Sequence, residues 1–234
     1  MTRGLEARTG GKVEVGKLRA SRACADRTRR RRGEYAARRA EVTQDRTRTG
    51  ELGGRSATHC RLGHADGENY VGELMESARR APRRETTRRK PIFCTHTRPN
   101  GQDSMIRMRE TENRGELVGC DLTCDSLTAL DPEKPFESMA RRLLANVNGG
   151  SAARRINNAM AWAKALNADG GILFGHWGGK QRMGLSTLAK RGREEAGLPT
   201  LVLDGDGCDS RNVADGQMVT RVGAFLEQLE GMDA

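Results

Sequence analysis

The chain has 234 residues, of which 41 are Lys or Arg and 31 Asp or Glu, for a formal net charge of +10. That length gives room for one or two domains with a buried core. It carries neither the apolar core of a leader peptide nor a run of transmembrane length, which excludes a membrane-spanning helix and sets the expectation of a soluble cytoplasmic protein.

The charge is unevenly spread. Residues 1–90 hold 24 basic against 12 acidic groups, and the remainder hold 17 against 19. The first ninety contain no Ile, Phe or Trp and only five Leu and four Val, with arginines in runs such as 29–32. So little apolar surface cannot offset the entropy of ordering a chain, so residues 1–89 are expected to form a disordered, arginine-rich segment. An RNA-binding arm needs aromatic groups for stacking, and only Tyr35 and Tyr70 are present, so a solvated charge run is the favoured reading and nucleic acid an unlikely partner. The composition also suits a stretch never selected to encode protein.

From Lys90 onward, short apolar runs alternate with longer helical patterns, the signature of a parallel sheet covered by helices. The expected fold of 90–234 is therefore α/β, of the Rossmann-like or flavodoxin-like kind. Pro91, Ile92 and Phe93 open a strand, a helix is expected over 105–112, and a second strand over 116–119 ends at Cys120. Helices follow over 135–145 and 152–166, the latter with Ile156, Met160, Ala163 and Leu166 at helical spacing. A buried strand over 171–174, a helix over 185–195 closed by Gly197 and Pro199, a strand over 200–203 and a helix over 216–229 complete the order.

Open parallel sheets bind ligands beyond the carboxyl ends of their strands. Two glycine-rich polar loops fall there: Gly175, His176, Trp177, Gly178, Gly179, Lys180 and Gln181 after one strand, and Asp204 through Asn212 after the next. Glycines let a ligand approach the backbone, and Lys180 and Arg211 suit phosphate or carboxylate. His176 suits a substrate carbonyl or a developing charge, or else a structural role satisfied by backbone. Asp204, Asp206 and Asp209 lack the spacing of a calcium loop, and capping and turn formation account for them. The six cysteines, Cys24, Cys60, Cys94, Cys120, Cys124 and Cys208, do not follow the spacing of a secreted disulfide scaffold, so reduced thiols or metal ligands are expected.

The run from Phe174 to Gln181 resembles the His-Trp-Gly-Cys-Lys-Gln signature of the 2-hydroxyacyl-CoA dehydratase and benzoyl-CoA reductase family. The similarity continues through Ala196-Gly-Leu-Pro-Thr-Leu-Val-Leu-Asp-Gly-Asp-Gly-Cys-Asp-Ser-Arg-Asn, Asp215-Gly-Gln-Met-Val-Thr-Arg and Ala224-Phe-Leu-Glu. More loosely, Gly115-Glu-Leu-Val-Gly-Cys-Asp-Leu-Thr-Cys-Asp-Ser resembles the segment bearing a cluster cysteine. The resemblance covers about residues 91–234 and implies a lyase or related reductase of two subunits, each with a 4Fe-4S cluster held by three cysteines. It further implies an acyl-CoA substrate and an ATP-dependent activator that injects one electron, so that a 2-hydroxyacyl-CoA loses water through a radical. On this basis His176 and Lys180 are the expected catalytic residues, and Trp177, Gln181 and Arg211 contact substrate. Cys124 is the expected cluster ligand, with Cys120, Cys94 and Cys208 as substitutes.

The sequence departs from the family pattern at Gly179, where the family has cysteine, and in the arginine-rich stretch that stands in place of the family's amino-terminal domain. A second reading is therefore kept beside the first: a truncated, cluster-free remnant without catalysis, or an assembly partner.

Overall fold

A strand that is apolar along its whole length, with no polar alternation, must be covered on both faces, which is the condition of a parallel sheet wrapped by helices. The computed structural model describes residues 2–39, 41–42, 60–82, 89–95, 114–124, 130–147, 149–176, 184–206, 209–212 and 214–232. They fall into two compact units, one of Met1–Tyr35, Asp45–Arg80 and Ser126–Asn146, the other of Ala36–Gln44, Ala81–Asp125 and Val147–Ala234.

The second unit holds the sheet. Its strands are β1 (Lys90–Thr95), β2 (Gly115–Cys120), β3 (Gly170–His176) and β4 (Thr200–Gly205), all parallel and ordered β2-β1-β3-β4. The chain thus winds outward from β1 to β2 and then returns across β1 to build β3 and β4. The expected α/β fold is what forms. The helix expected over 105–112 lies outside the described residues.

Alternation along each strand sorts the core into two layers. Ile92, Cys94, Leu117, Ile172, Phe174 and Leu203 face one helix, Asp215–Gly231. That helix presents Met218, Val222, Phe225, Leu226 and Leu229, spaced as one apolar stripe. Phe93, Val118 and Leu173 face the opposite way, against Ile156, Ala159, Ala163 and Leu166. Phe174, Leu203 and Leu226 are fully closed from solvent, and each such side chain contributes about 1.5–3 kcal/mol through burial.

Local signals set the helix limits. Ser151 caps Ala152–Ala165 by accepting a hydrogen bond from the backbone N–H of Arg154 at 3.3 Å. Leu185–Ala196 ends at Gly197, whose φ of 61° lies in the left-handed region that glycine enters without a Cβ penalty. Close approach explains Gly119 in β2: a Cβ there would lie 2.5 Å from Leu166 Cδ1 and 3.2 Å from Phe93 Cε2, so a side chain would displace both neighbours.

In the first unit, the described residues are helical where the composition led us to expect an unfolded segment. In chain order the helices of the molecule are α1 (Thr2–Thr9), α2 (Val15–Arg39), α3 (Ala65–Arg80), α4 (Asp121–Cys124), α5 (Pro135–Ala145), α6 (Ala152–Ala165), α7 (Leu185–Ala196) and α8 (Asp215–Gly231). Of these, α1, α3, α5 and most of α2 belong to the first unit. Arginine and alanine are strong helix formers, and the arginine runs meet carboxylates at the spacings a helix brings together. Asp26, buried to 5 % exposure, binds Arg29 at 3.0 Å and Arg30 at 2.6 Å along α2. Glu68 on α3 binds Arg27 at 2.9 Å and Arg31 at 3.4 Å on α2. Small apolar groups, Ala25, Val71 and Ala78 among them, close the rest.

Burial alone would raise the Asp26 carboxyl, but hydrogen bonds from Arg29 and Arg30 outweigh it and hold its pKa below the ordinary 3.8. A carboxyl depressed on folding adds stability that is present above its unfolded pKa and is lost as pH falls through its folded one. Acid titration followed by circular dichroism is therefore expected to show helix loss below pH 3.8 in the wild type. The loss is expected to be shallower in Asp26→Asn, which starts less stable at neutral pH. Equal acid profiles for the two proteins would remove Asp26 as the anchor of α2.

Candidate functional site at the carboxyl edge of the sheet

The two core layers take up most of the apolar strand side chains, and polar groups gather where the strands end. The reversal of winding lies between β1 and β3, and such a switch point is where open parallel sheets bind ligands. β1 ends there with Cys94 and Thr95 and β3 with Gly175 and His176. On the flanks β2 ends at Cys120, followed by Asp121, and β4 at Asp204 and Gly205, followed by Asp206.

His176 is the last residue of β3 and pairs in register with Gly205 of β4. Its side chain keeps 34 % of its surface, and Nδ1 lies 3.5 Å from Asp206 Oδ1. Asp206 is itself fixed by the loop it begins. Its Oδ1 accepts from the backbone N–H of Asp209 at 3.1 Å, and its Oδ2 accepts from Asn212 Nδ2 at 2.9 Å. A carboxylate held in this way favours the imidazole tautomer with its proton on Nδ1, which leaves Nε2 for another partner.

Arg211 is placed in the same loop, within the 3₁₀ turn Ser210–Asn212. Its guanidinium binds the carboxylate of Asp209 at 2.6 Å and 87 % of its side chain is in solvent. The hydrogen bonds from Arg211 hold the Asp209 carboxyl below the usual range, and the same pairing raises Arg211. The arginine expected at substrate is thus engaged within its own turn.

At the other flank, Asp121 is 1 % exposed and begins α4, the four-residue helix that ends at Cys124. Arg155 of α6 donates to Asp121 Oδ2 from Nε at 2.9 Å and from Nη2 at 2.7 Å. With side chains 13 % and 2 % exposed, this is a desolvated ion pair that fixes the turn after β2 to the helix layer. Cys94 and Cys120 are register partners on β1 and β2 and are 0 % and 8 % exposed within the core layer facing α8. The Cys120 thiol lies 3.9 Å from Asp121 Oδ1, to which it donates.

Trp177, Gly179, Lys180, Gln181 and Cys208 lie outside the described residues, as does the side chain of Cys124. The structure therefore brings together His176 and Asp206, and separately Cys94, Cys120 and Asp121. Asp206 was read from sequence as a turn and capping residue. The signal for its second role was available, since consecutive neighbouring strands place their following loops side by side. Nothing in the sequence pointed to Asp121 and Arg155, which are 34 positions apart. Among the described residues no group of three or more His, Cys, Asp or Glu side chains converges as a metal site. Cys94 and Cys120, the two described thiols at this edge, are one short of three cysteines, and no further ligand among the described residues converges with them, so the described residues do not by themselves fit an iron-sulfur cluster.

A parallel sheet wound in both directions from its first strand, with polar glycine-rich loops at its carboxyl edge, defines a doubly wound α/β protein. The model of the family described as 2-hydroxyglutaryl-CoA dehydratase, D-component, matches residues 1–229, and the chain belongs to that family. The matched span begins ninety residues before the motifs read from sequence and takes in the arginine-rich helices. No curated protein matches the chain. Among the described residues no helix is long and apolar enough to cross a membrane.

Arg155→Met is expected to strand the Asp121 carboxylate in the core and lower the unfolding free energy by about 3–5 kcal/mol. The double variant Asp121→Asn/Arg155→Met is expected to recover most of that loss. Urea unfolding of the three proteins checks both, and a single-variant loss under about 1 kcal/mol means the pair does not anchor the turn.

Proposed function

We propose that the chain is a subunit of a 2-hydroxyacyl-CoA dehydratase that holds the acyl thioester in the crevice between the ends of β1 and β3. It works with a second subunit and an ATP-dependent activator in the cytoplasm. Family membership supports a component of a system acting on a CoA thioester. The observation that carries the placement is His176, part-exposed at the switch point with Asp206 at its Nδ1.

The chemistry explains why such a histidine is needed. Elimination removes the hydroxyl from C2 and a proton from C3, giving a 2-enoyl-CoA and water with no net oxidation. The C3 proton is not acidic, so an electron from the activator first converts the thioester carbonyl to a ketyl, and it is returned after water leaves. Negative charge therefore grows on the carbonyl oxygen, and a donor already aimed at it lowers the barrier. Nε2 of His176 is that donor when the ring carries a proton on both nitrogens, Nδ1 facing Asp206 and Nε2 the carbonyl oxygen. Trp177, Lys180 and Gln181 follow His176 in sequence, and the family resemblance assigns them to the acyl-CoA, with Lys180 supplying a cation.

In the complex of both subunits with activator, His176→Gln is expected to lower the dehydration rate about 10²–10³-fold. Affinity for acyl-CoA, read by calorimetry, is expected to stay within about tenfold, or about 1.4 kcal/mol. Unchanged turnover, or loss of binding alone, sinks the assignment of His176.

A second reading rests on Gly179 and on Cys94 and Cys120 having no further ligand converging with them among the described residues: a subunit that holds no cluster and acts as an assembly partner. Iron and acid-labile sulfide content after anaerobic reconstitution separates the two. A stoichiometric cluster lost in Cys124→Ala places cluster chemistry in this chain. No cluster in wild type, with one gained in Gly179→Cys, favours the partner role.

A further inference from the structure

We propose that Cys94 and Cys120 are a redox-active dithiol that closes a disulfide between β1 and β2 when the protein is oxidised. The two residues are register partners on adjacent parallel strands. Such strands lie about 4.7–4.9 Å apart, inside the roughly 4.4–6.8 Å between Cα atoms that a disulfide spans. Neither is in a disulfide in this structure. Both side chains belong to the same core layer, with Ile92, Leu117 and Phe174.

That shared face is the product of an irregularity. The register shifts between Ile92 and Phe93, so that Ile92 pairs with Leu117 but Phe93 with Gly119, and Val118 is the extra residue. Regular pairing would put residues 117 and 120 on opposite faces, because side chains alternate along a strand. The bulge turns Cys120 onto the face of Cys94. Among the described residues no third ligand converges on them, so the pair suits two-electron thiol chemistry better than metal binding. Cys120, at the end of an edge strand and 8 % exposed, is the thiol that a reagent reaches when the edge opens, and Cys94 at 0 % is the resolving one.

The reaction balances with a small disulfide such as oxidised glutathione as oxidant. The Cys120 thiolate attacks one of its sulfurs and expels a thiolate; the Cys94 thiolate then attacks the Cys120 sulfur of the mixed disulfide and expels the second. The protein gives up two protons and two electrons, and the reagent leaves as two thiols. The new bond pins the edge strand, and with it the α4 turn that bears Cys124. This inference does not rest on the dehydratase reading.

The test uses the full chain, reduced anaerobically, then incubated with oxidised glutathione and quenched with N-ethylmaleimide in denaturant. Combined digestion with trypsin and an enzyme that cuts before aspartate separates Cys120 from Cys124, because Asp121 lies between them. The expected result is a linked peptide pair containing Cys94 and Cys120, loss of both from the alkylated pool together, and their joint return on reduction. In Cys94→Ala the link is lost and Cys120 returns to the alkylated pool or carries glutathione. The proposal is overturned if Cys94 and Cys120 stay separately alkylated in the oxidised wild type. It is equally overturned if either is linked to Cys24, Cys60, Cys124 or Cys208 instead. Should Cys94→Ala not fold, the wild-type peptide map decides alone.

Discussion

The sheet must hide both of its faces, and the rest of the second unit follows from that requirement. Backbone hydrogen bonds are satisfied laterally, by strand on strand, while α8 covers one face and α6 the other. Most of the apolar strand side chains are taken up in these layers, and polar chemistry gathers at the strand ends. A histidine that closes β3 and an aspartate that follows β4 meet there because the two strands are neighbours in the ladder. The site is therefore a by-product of topology before it is a matter of particular residues.

The first unit solves its stability problem by different means. With few large apolar groups, it joins α2 to α3 through Arg27 and Arg31 on Glu68, and braces α2 along its own length through Asp26. Partial burial makes these charge contacts count for more than exposed pairs, which contribute little. The same side chains that argued for a solvated tail are the ones that order the helices.

Much of the sheet unit was legible in the sequence. The strand around Ile172 and Leu173 reads plainly because an unbroken apolar run bounded by glycines admits little else, and the helix after Ser151 because its apolar residues recur at helical spacing and a cap precedes them. Observed limits differ from expected ones by a residue or two, as at the helix expected over 216–229, which runs Asp215–Gly231. The helices of the first ninety residues were illegible because apolar periodicity is the usual signal, and here ion pairing at helical spacing replaces it. The place of His176 at the end of β3 was legible from the apolar run before it. The pairing of Arg211 with Asp209, two positions earlier, was not legible, since a sequence does not reveal which carboxylate meets the guanidinium.

The extra residue in β2 has a consequence for the opposite flank of the site. β2 uses the six residues Gly115–Cys120 to run beside the five of β1 from Lys90 to Cys94. Odd and even positions therefore trade places after Val118. Were the same six residues paired regularly, without the bulge, Asp121 would be delivered to the side of the sheet away from Arg155. The bulge, rather than the identity of the residue at 118, decides whether the carboxylate and the guanidinium ever face each other.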